Sequence, residues 1–174
     1  MKVIYLHHQE NELIKLATEN NRQAQQQIYT HFSPKMLGVC RQYIKDIHQA
    51  EDIMITAFMK VFVNIKNFEN KGSFEGWIRR IMVNECISFI RVQKKIKYVE
   101  DETYFEESFN NIESQFSTDD IQSLIDSLPD GYKTVFNLYA IEGFKHKEIA
   151  SMLEINEGTS KSQLSHARKM LQIQ

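Results

Sequence analysis

Glycine and proline are scarce in this chain, six and two among 174 residues. Strand-rich folds punctuate themselves with both, so their scarcity argues against a protein built of sheets. Cysteine is nearly absent too: Cys40 and Cys86 belong to no CxxC or Cys/His spacing, which excludes a zinc site and a disulfide framework and leaves two buried thiols. Long apolar runs are missing. No stretch approaches the roughly 18 apolar residues of a membrane span, and "MKVIYLHHQENE" has too short an apolar core for a signal peptide. The expected location is the cytoplasm, with no direct insertion into a membrane. Catalytic patterns are lacking as well. There is no glycine-rich phosphate loop, no HExxH and no nucleophile-base pairing, so no enzyme activity, metal or cofactor is expected. His48, Glu51 and Asp52 in "HQAED" are close enough on a helix to hold a metal, but without further ligands they read as a solvated or interface face. His7 and His8 precede any predicted element.

What remains is rich in helix formers. Gln, Glu, Lys, Leu, Ile and Met are plentiful, and the expected class is all-α. The length suits two small helical domains with apolar residues enough to form cores without staples. A formal net charge of −2 hides strong segregation. Residues 71–97 carry 7 basic and 2 acidic groups, whereas residues 98–126 carry 9 acidic groups and no basic one. Local charge, not the total, decides whether a nucleic acid is a plausible partner.

Residues 10–97 read as a run of helices. The first covers about Glu12 to His31, and "SP" at Ser33 and Pro34 supplies an N-cap and a first-turn proline for a second, to about Ile44. A third spans about His48 to Asn67. The segment "FENKGSFEGW" interrupts the pattern, after which a long helix runs from about Phe74 to Lys97. Residues 98–118, without a basic residue and with weak periodicity, read as an acidic linker with a docked turn at Tyr104, Phe105 and Phe109. Domains are therefore expected over 1–97 and 119–174. In the second, a helix from Asp119 to Leu128 precedes one opened by Pro129 and ended at Gly143, followed by "HKEIASML" and "INEGTSKSQLSHARKML".

The last two helices carry the clearest pattern. Ile149, Ala150 and Leu153 fall at helical spacing, and only about four residues later begins a helix whose inward stripe is Ser160, Leu164, Ala167 and Leu171. Two short helices so tightly linked must cross steeply, as in a helix-turn-helix, where the second helix enters a major groove. Opposite that stripe stand Gly158, Ser162, Ser165, His166 and Lys169, flanked by Thr159, Lys161 and Gln163. Small residues permit close approach, hydroxyl and amide groups meet base edges or phosphates, and Lys161, Arg168 and Lys169 supply charge. Asn156 is placed to cap the helix, whose first N–H groups would form an anion site. The same polar face also suits plain solvent.

Trp77, Arg80, Asn84, Ser88, Arg91 and Lys95 share one stripe of the long helix, with Ile78, Met82, Cys86, Phe89 and Ile90 opposite as core. An aromatic ring beside arginines and an amide is what unstacked bases need, although Trp77 equally fits a core position at the helix start. The helix "QAEDIMITAFMKVFVNIKNF" is apolar nearly all round. Ile53, Ala57, Val61 and Ile65 form one stripe, Phe58 and Phe62 another, and Ile55, Met59 and Val63 a further one, so at least one faces a partner.

These constellations occur in an order that resembles the extracytoplasmic-function (ECF) group of bacterial RNA polymerase sigma factors. "AEDIMITAFMKVF" and "FENKGSFEGWIRRIMVNECISFIR" are similar to the region 2 domain, and "LPDGYKTVFNLYAIEGFKHKEIASMLEINEGTSKSQLSHARKML" to region 4. The resemblance covers nearly the whole chain after about residue 12. It implies a subunit that recruits core RNA polymerase to selected promoters. Glu51, Asp52, Ile55, Thr56 and Met59 would dock on the coiled coil of the β′ clamp. Asn70, Lys71 and Ser73 with the Trp77 stripe would open the minus-ten element and hold an extruded base. The helix from Asn156 would read the minus-thirty-five element as duplex, and region 4 would also touch the β flap. The linker would thread near the RNA exit channel, and a cognate anti-sigma factor would cover the polymerase-binding surfaces.

Two departures from the family pattern carry information. A Gln-Glu or Gln-Asp pair common after "AED" is Ile55 and Thr56 here, replacing a polar contact to the clamp by apolar contact through Ile55 and Met59. A frequent "RAR" is His166, Ala167 and Arg168, so a phosphate contact made by His166 would be pH-sensitive. Two other readings use the same helices: a stand-alone helix-turn-helix repressor dimerising through its N-terminal helices, and a decoy that sequesters partners without using DNA. The basic Trp77 helix argues against the repressor, because a reader of duplex alone has no use for a base-stacking surface.

Overall fold

The computed structural model describes the backbone of residues 2–100 and 124–173 and the side chains of 10–93 and 124–171. Among these residues every regular element is helical. In order they are α1 (Lys2–Thr18), α2 (Arg22–Arg41), α3 (Ile47–Asn64) prolonged by a 3-10 turn at Ile65–Asn67, and α4 (Phe74–Glu100). A helical turn at 124–127 leads to α5 (Asp130–Phe136), a π-helical turn (Asn137–Ile141), α6 (His146–Leu153) and α7 (Glu157–Ile173). By its contacts the chain divides into two compact units, Met1–Phe89 and Ile90–Gln174. Most of the expected acidic linker, with Tyr104, Phe105 and Phe109, and the start of the helix expected from Asp119 lie outside the described residues. Helix α4 continues three residues past its expected end at Lys97, since neither glycine nor proline occurs between Gly76 and Pro129 to stop it.

The first break in the first unit falls elsewhere than expected. The chain turns at Glu19–Asn21, not at Ser33: Asn20 takes a left-handed φ of 61°, and the Asn21 side chain caps α2 by accepting from the N–H groups of Gln23 and Ala24. Pro34 lies inside α2, although an internal proline costs a helix about 3 kcal/mol. The carbonyl it deprives of a donor belongs to Thr30, which is exposed to water. The buried stripe Ile28, Phe32, Met36, Val39 and Cys40 runs straight through the proline. Each such side chain contributes about 1.5 to 3 kcal/mol on burial, so the stripe outweighs the proline. His7 and His8, expected ahead of any element, fall on the backbone of α1.

Asp46 caps α3 by accepting from the Gln49 N–H. The stripe Ile53, Ala57, Val61 and Ile65 and the ring of Phe58 are then buried, with α3 packed on α2, the 3-10 turn on α1, and Tyr29 edge-on to Phe58 at 4.9 Å. From α4 come Phe74, Ile78, Met82, Val83, Cys86 and Ile87, while Phe89 and Ile90, expected in the core, are half-buried. Cys40 and Cys86 are free and completely buried. The neighbouring Cys40 thiol, with burial, pushes the Cys86 thiol far up.

The second unit has a smaller core: Leu128, Val135, Leu138, Ile149, Ala150, Leu164 and Ala167. Polar groups share it. Lys133 is 1% exposed with its ammonium 3.1 Å from Asp126, and the Thr134 hydroxyl donates to the Asp130 carbonyl. Gly143, at a φ of 76°, ends the π-helical turn. The link from α6 to α7 is three residues long, and Glu154 makes the turn at a φ of 55° while its N–H bonds back to Ala150.

Candidate nucleic-acid interface

Helix α7 has two chemically distinct sides. Ser160 and Ala167 are fully buried and Leu164 nearly so, with Leu171 half-buried at the end of the stripe. Serine is tolerated inside because its hydroxyl meets His146 Nδ1 at 3.0 Å, which ties α7 to the first turn of α6. The other side is open: Gly158, Lys161, Ser162, Ser165, His166, Arg168 and Lys169 are exposed, and Thr159 and Gln163 are half-buried. Asn156 caps the helix, its Oδ1 accepting from the Thr159 N–H at 2.7 Å. The expected anion site is correspondingly reduced. One of its donors is taken by Asn156, and the first turn carries the carboxylate of Glu157.

That carboxylate pairs with Lys161 at 2.7 Å, so Lys161 is not the isolated cation its position suggested. The hydrogen bond from Lys161, then its charge, hold Glu157 below the usual carboxylate range, with His146 and Lys147 adding to the effect against slight desolvation. Two aromatic stacks flank the helix that the sequence pattern did not reveal. His166 lies flat on Tyr132 of α5 at 5.5 Å, and His146 on Tyr139 of the π-helical turn at 4.7 Å. The Arg168 guanidinium sits over the Tyr139 ring at 5.6 Å, a geometry in which a cation gains about 0.5 to 1 kcal/mol at an exposed site. These partners are far apart in sequence, and no periodicity encodes them.

The predicted face of α4 is also laid out along one stripe: Arg80, Asn84 and Ser88 are exposed and Trp77 and Arg91 half-buried. Lys95 is on the same helix, with its side chain outside the described residues. Trp77 is neither core nor free. It lies parallel to Phe74 at 5.8 Å and tilted against Phe68 at 5.6 Å, while Phe68 and Phe74 approach to 5.1 Å. Phe74 is buried and anchors the cluster. Phe68 begins the loop expected to help open the minus-ten element, but its packing on Trp77 was not expected, because it lies outside any helical stripe.

In that loop Asn70 is left-handed with a φ of 54° and Gly72 has a φ of 108°, which turns the chain back into α4. Lys71 pairs with Glu69 at 2.6 Å, both exposed. The Ser73 hydroxyl accepts from the Gly76 N–H at 3.3 Å, so Ser73 serves the start of α4 as well as facing outward.

On α3 an unpaired apolar stripe remains. Ile55 is 48% exposed, Met59 66% and Val63 80%, at i, i+4 and i+8 on one side. Asp52 and Thr56 are exposed beside them and Glu51 is half-buried; the Thr56 hydroxyl donates to the Asp52 carbonyl. Among the described residues no group of His, Cys, Asp and Glu is arranged to hold a metal, and no helix is long and apolar enough to cross a membrane.

A helix-turn-helix with a small polar outer face, joined to a helical unit bearing a basic face with aromatics and an exposed apolar stripe, defines an all-α protein of the class that binds DNA and a protein partner. The comparisons give that class its family. The model for sigma-70 region 2 matches residues 28–96, and that for sigma-70, region 4 matches residues 118–171. The RNA polymerase sigma factor SigV of Bacillus subtilis is 33% identical over 132 residues, 76% of this chain and 79% of SigV. The ECF RNA polymerase sigma factor SigW of the same organism is 30% identical over 176 residues, covering 92% and 94% of the two chains.

Two solved structures share the fold. The sigma factor RpoE from Bartonella quintana, in complex with the anti-sigma factor NepR, aligns with a TM-score of 0.51 at 21% identity over 84% of this chain and 93% of that one. CnrH, in complex with the cytosolic domain of CnrY, aligns with a TM-score of 0.51 at 17% identity over 94% and 95%. The chain belongs to the ECF group of the sigma-70 family. It is a sigma factor: it binds core RNA polymerase and promoter DNA and directs promoter-specific initiation.

Proposed function

We propose a division of labour along the chain: residues 1–97 dock on core polymerase and open the minus-ten element, residues 98–118 link, and residues 119–174 read the minus-thirty-five element. The observation that carries the proposal is the two-sidedness of α7, with Ser160 and Ala167 buried while Gly158, Ser162, Ser165 and Lys169 face out. A solvated face alone would not favour so many small side chains, which let the helix axis approach a groove floor. Asn156, Thr159, Lys161, Gln163 and His166 complete that reading surface. Asn156 acts through the cap, and His166 is held against Tyr132.

On α4, Trp77, supported by Phe68 and Phe74, offers a flat face to an unstacked base, and Arg80, Asn84, Ser88, Arg91 and Lys95 follow the strand. Asn70, Lys71 and Ser73 edge the same opening. Docking on the β′ clamp uses Ile55 and Met59 as apolar contacts, with Glu51, Asp52 and Thr56 as polar neighbours. The chain works in the cytoplasm and has no catalytic residues of its own, the chemistry being that of the polymerase. Because both structural neighbours were solved with an anti-sigma protein or the cytosolic domain of a partner, a partner of the same kind is expected to cover the α3 stripe when the factor is idle.

Reconstitution with core polymerase tests the reading. Run-off transcription on genomic templates, with start-site mapping, is expected to give discrete start sites only when both are present. Footprinting distinguishes the repressor alternative, which would protect DNA without core enzyme.

A further inference from the structure

Helix α7 begins with a charge pair of which the reading surface proposed above uses only the lysine. Glu157 is its first residue and Lys161 stands one turn on, with carboxylate and ammonium 2.7 Å apart and side chains 48% and 60% exposed. Neighbouring polar groups are committed elsewhere: Asn156 caps the Thr159 N–H, and the Ser162 hydroxyl donates to the Thr159 carbonyl. Gly158, between them, has no side chain, and a Cβ there would meet Asn156 Oδ1 at 3.1 Å. The pair is therefore what the first turn projects.

A carboxylate is a poor group for gripping DNA by its backbone, since it repels phosphate and offers only acceptors. In the major groove it is repelled by guanine O6 and N7 and by thymine O4. It is satisfied only by an exocyclic amino group, of which cytosine N4 is the usual partner of Glu. Lys161 offers the complement, donors without an acceptor, which suit guanine O6 and N7. A C·G pair presents both edges side by side.

We infer that Glu157 and Lys161 act as one specificity-determining unit that reads a single C·G base pair at the N-terminal end of the α7 footprint. Glu157 accepts from cytosine N4, and Lys161 donates to the guanine edge. The inference rests on the assignment of α7 to the upstream promoter element. It fits the recognition geometry of helix-turn-helix proteins, in which the N-terminal residues of the second helix meet the base edges. Lys161, His146 and Lys147 also favour the ionised carboxylate, the form that can only accept. Mutual pairing orients both side chains before DNA arrives, which lowers the ordering cost on binding.

The test is transcription by core polymerase loaded with the full chain on a template library randomised through the upstream element, comparing wild type, E157Q, E157A and K161A. Glu157 and Lys161 are exposed, so the variants keep the fold. The wild type is expected to require C·G at one position, with other pairs initiating roughly 5- to 150-fold less often. In E157A that position flattens; in E157Q it moves toward A·T, because a glutamine amide pairs with adenine N6 and N7. In K161A the same position relaxes, and the rank order elsewhere stays. A wild type that selects upstream sequences without C·G at any position overturns the inference alone. So do variants that scale all templates uniformly, the mark of a charge effect rather than base reading. A wild type indifferent to the whole upstream element overturns the assignment of α7, and the inference with it.

Discussion

In Met1–Phe89 the described interior runs from Ile14 to Ile87 through apolar side chains and two thiols, whereas the interior of Ile90–Gln174 also holds Lys133, Thr134, Asn137 and Ser160. Apolar burial is strong and indifferent to direction, so the first unit is held by area, while Ile55, Met59 and Val63 of α3 stay exposed outside its core. Buried polar groups are costly unless paired, and pairing fixes orientation. The second unit is held partly by such bonds: Lys133 reaches Asp126, and the hydroxyl of Ser160 meets His146, which ties α7 to α6. A reading helix must sit in a groove within a fraction of an ångström, and directional contacts provide that where a small apolar core does not.

The largest effect that sharpens this contrast is expected from Phe58→Ala. It removes a ring 2% exposed in the first unit and should destabilise that unit by about 3 to 5 kcal/mol. In a urea titration followed by Trp77 fluorescence for the first unit and a probe placed in the second, only the first transition should move. Next comes the Lys133 pair. Asp126→Ala strands a buried ammonium and should lower the stability of the second unit by about 3 kcal/mol, whereas Lys133→Met, which removes the charge and keeps the stem's volume, should change it by less than about 1 kcal/mol. Equal losses from both would show that the pair as such is stabilising and would break the contrast drawn above.

How much of this the sequence could disclose follows the same divide. The stripes Ile53, Ala57, Val61 and Ile65 on α3 and Ser160, Leu164 and Ala167 on α7 are periodic, and periodicity is local information. Even the serine fits its stripe by position, although nothing nearby predicts that His146 will satisfy it. The α1–α2 break was misplaced because Asn21 and Ser33–Pro34 both carry helix-start signals. The buried stripe from Ile28 to Cys40, not the local signal, decides between them. Lys133 reads as surface in any pattern, and its burial depends on Asp126 seven residues away. Phe68, Tyr132 and Tyr139 matter through partners brought close only by the folded chain.

Smaller effects probe the aiming of α7. Ser160→Ala removes the hydroxyl facing His146 and should destabilise the second unit by about 1 kcal/mol. Promoter use should fall further than this loss of stability explains if the bond orients the helix, as single-round transcription at a temperature well below melting would register. Lys169→Ala should leave stability unchanged and lower the salt slope of promoter binding by about one unit if the ammonium meets a phosphate. An unchanged slope would remove Lys169 from the backbone contacts.

The smallest effect concerns Glu157, and its sign is fixed by linkage. Its carboxyl is held below the ordinary range of about 4, so the folded state binds the proton less readily than the unfolded chain. The stabilisation it provides is complete above that ordinary value and disappears as pH falls through the lowered one. Thermal melting of wild type and E157Q should therefore differ slightly near neutral pH and converge in acid. Because both partners are exposed, 1 M salt should shrink the gap at neutral pH as well. A gap that instead widened in acid would mean that Glu157 is stabilised in its protonated form, leaving it a hydroxyl donor in the first turn of α7 where an acceptor is required.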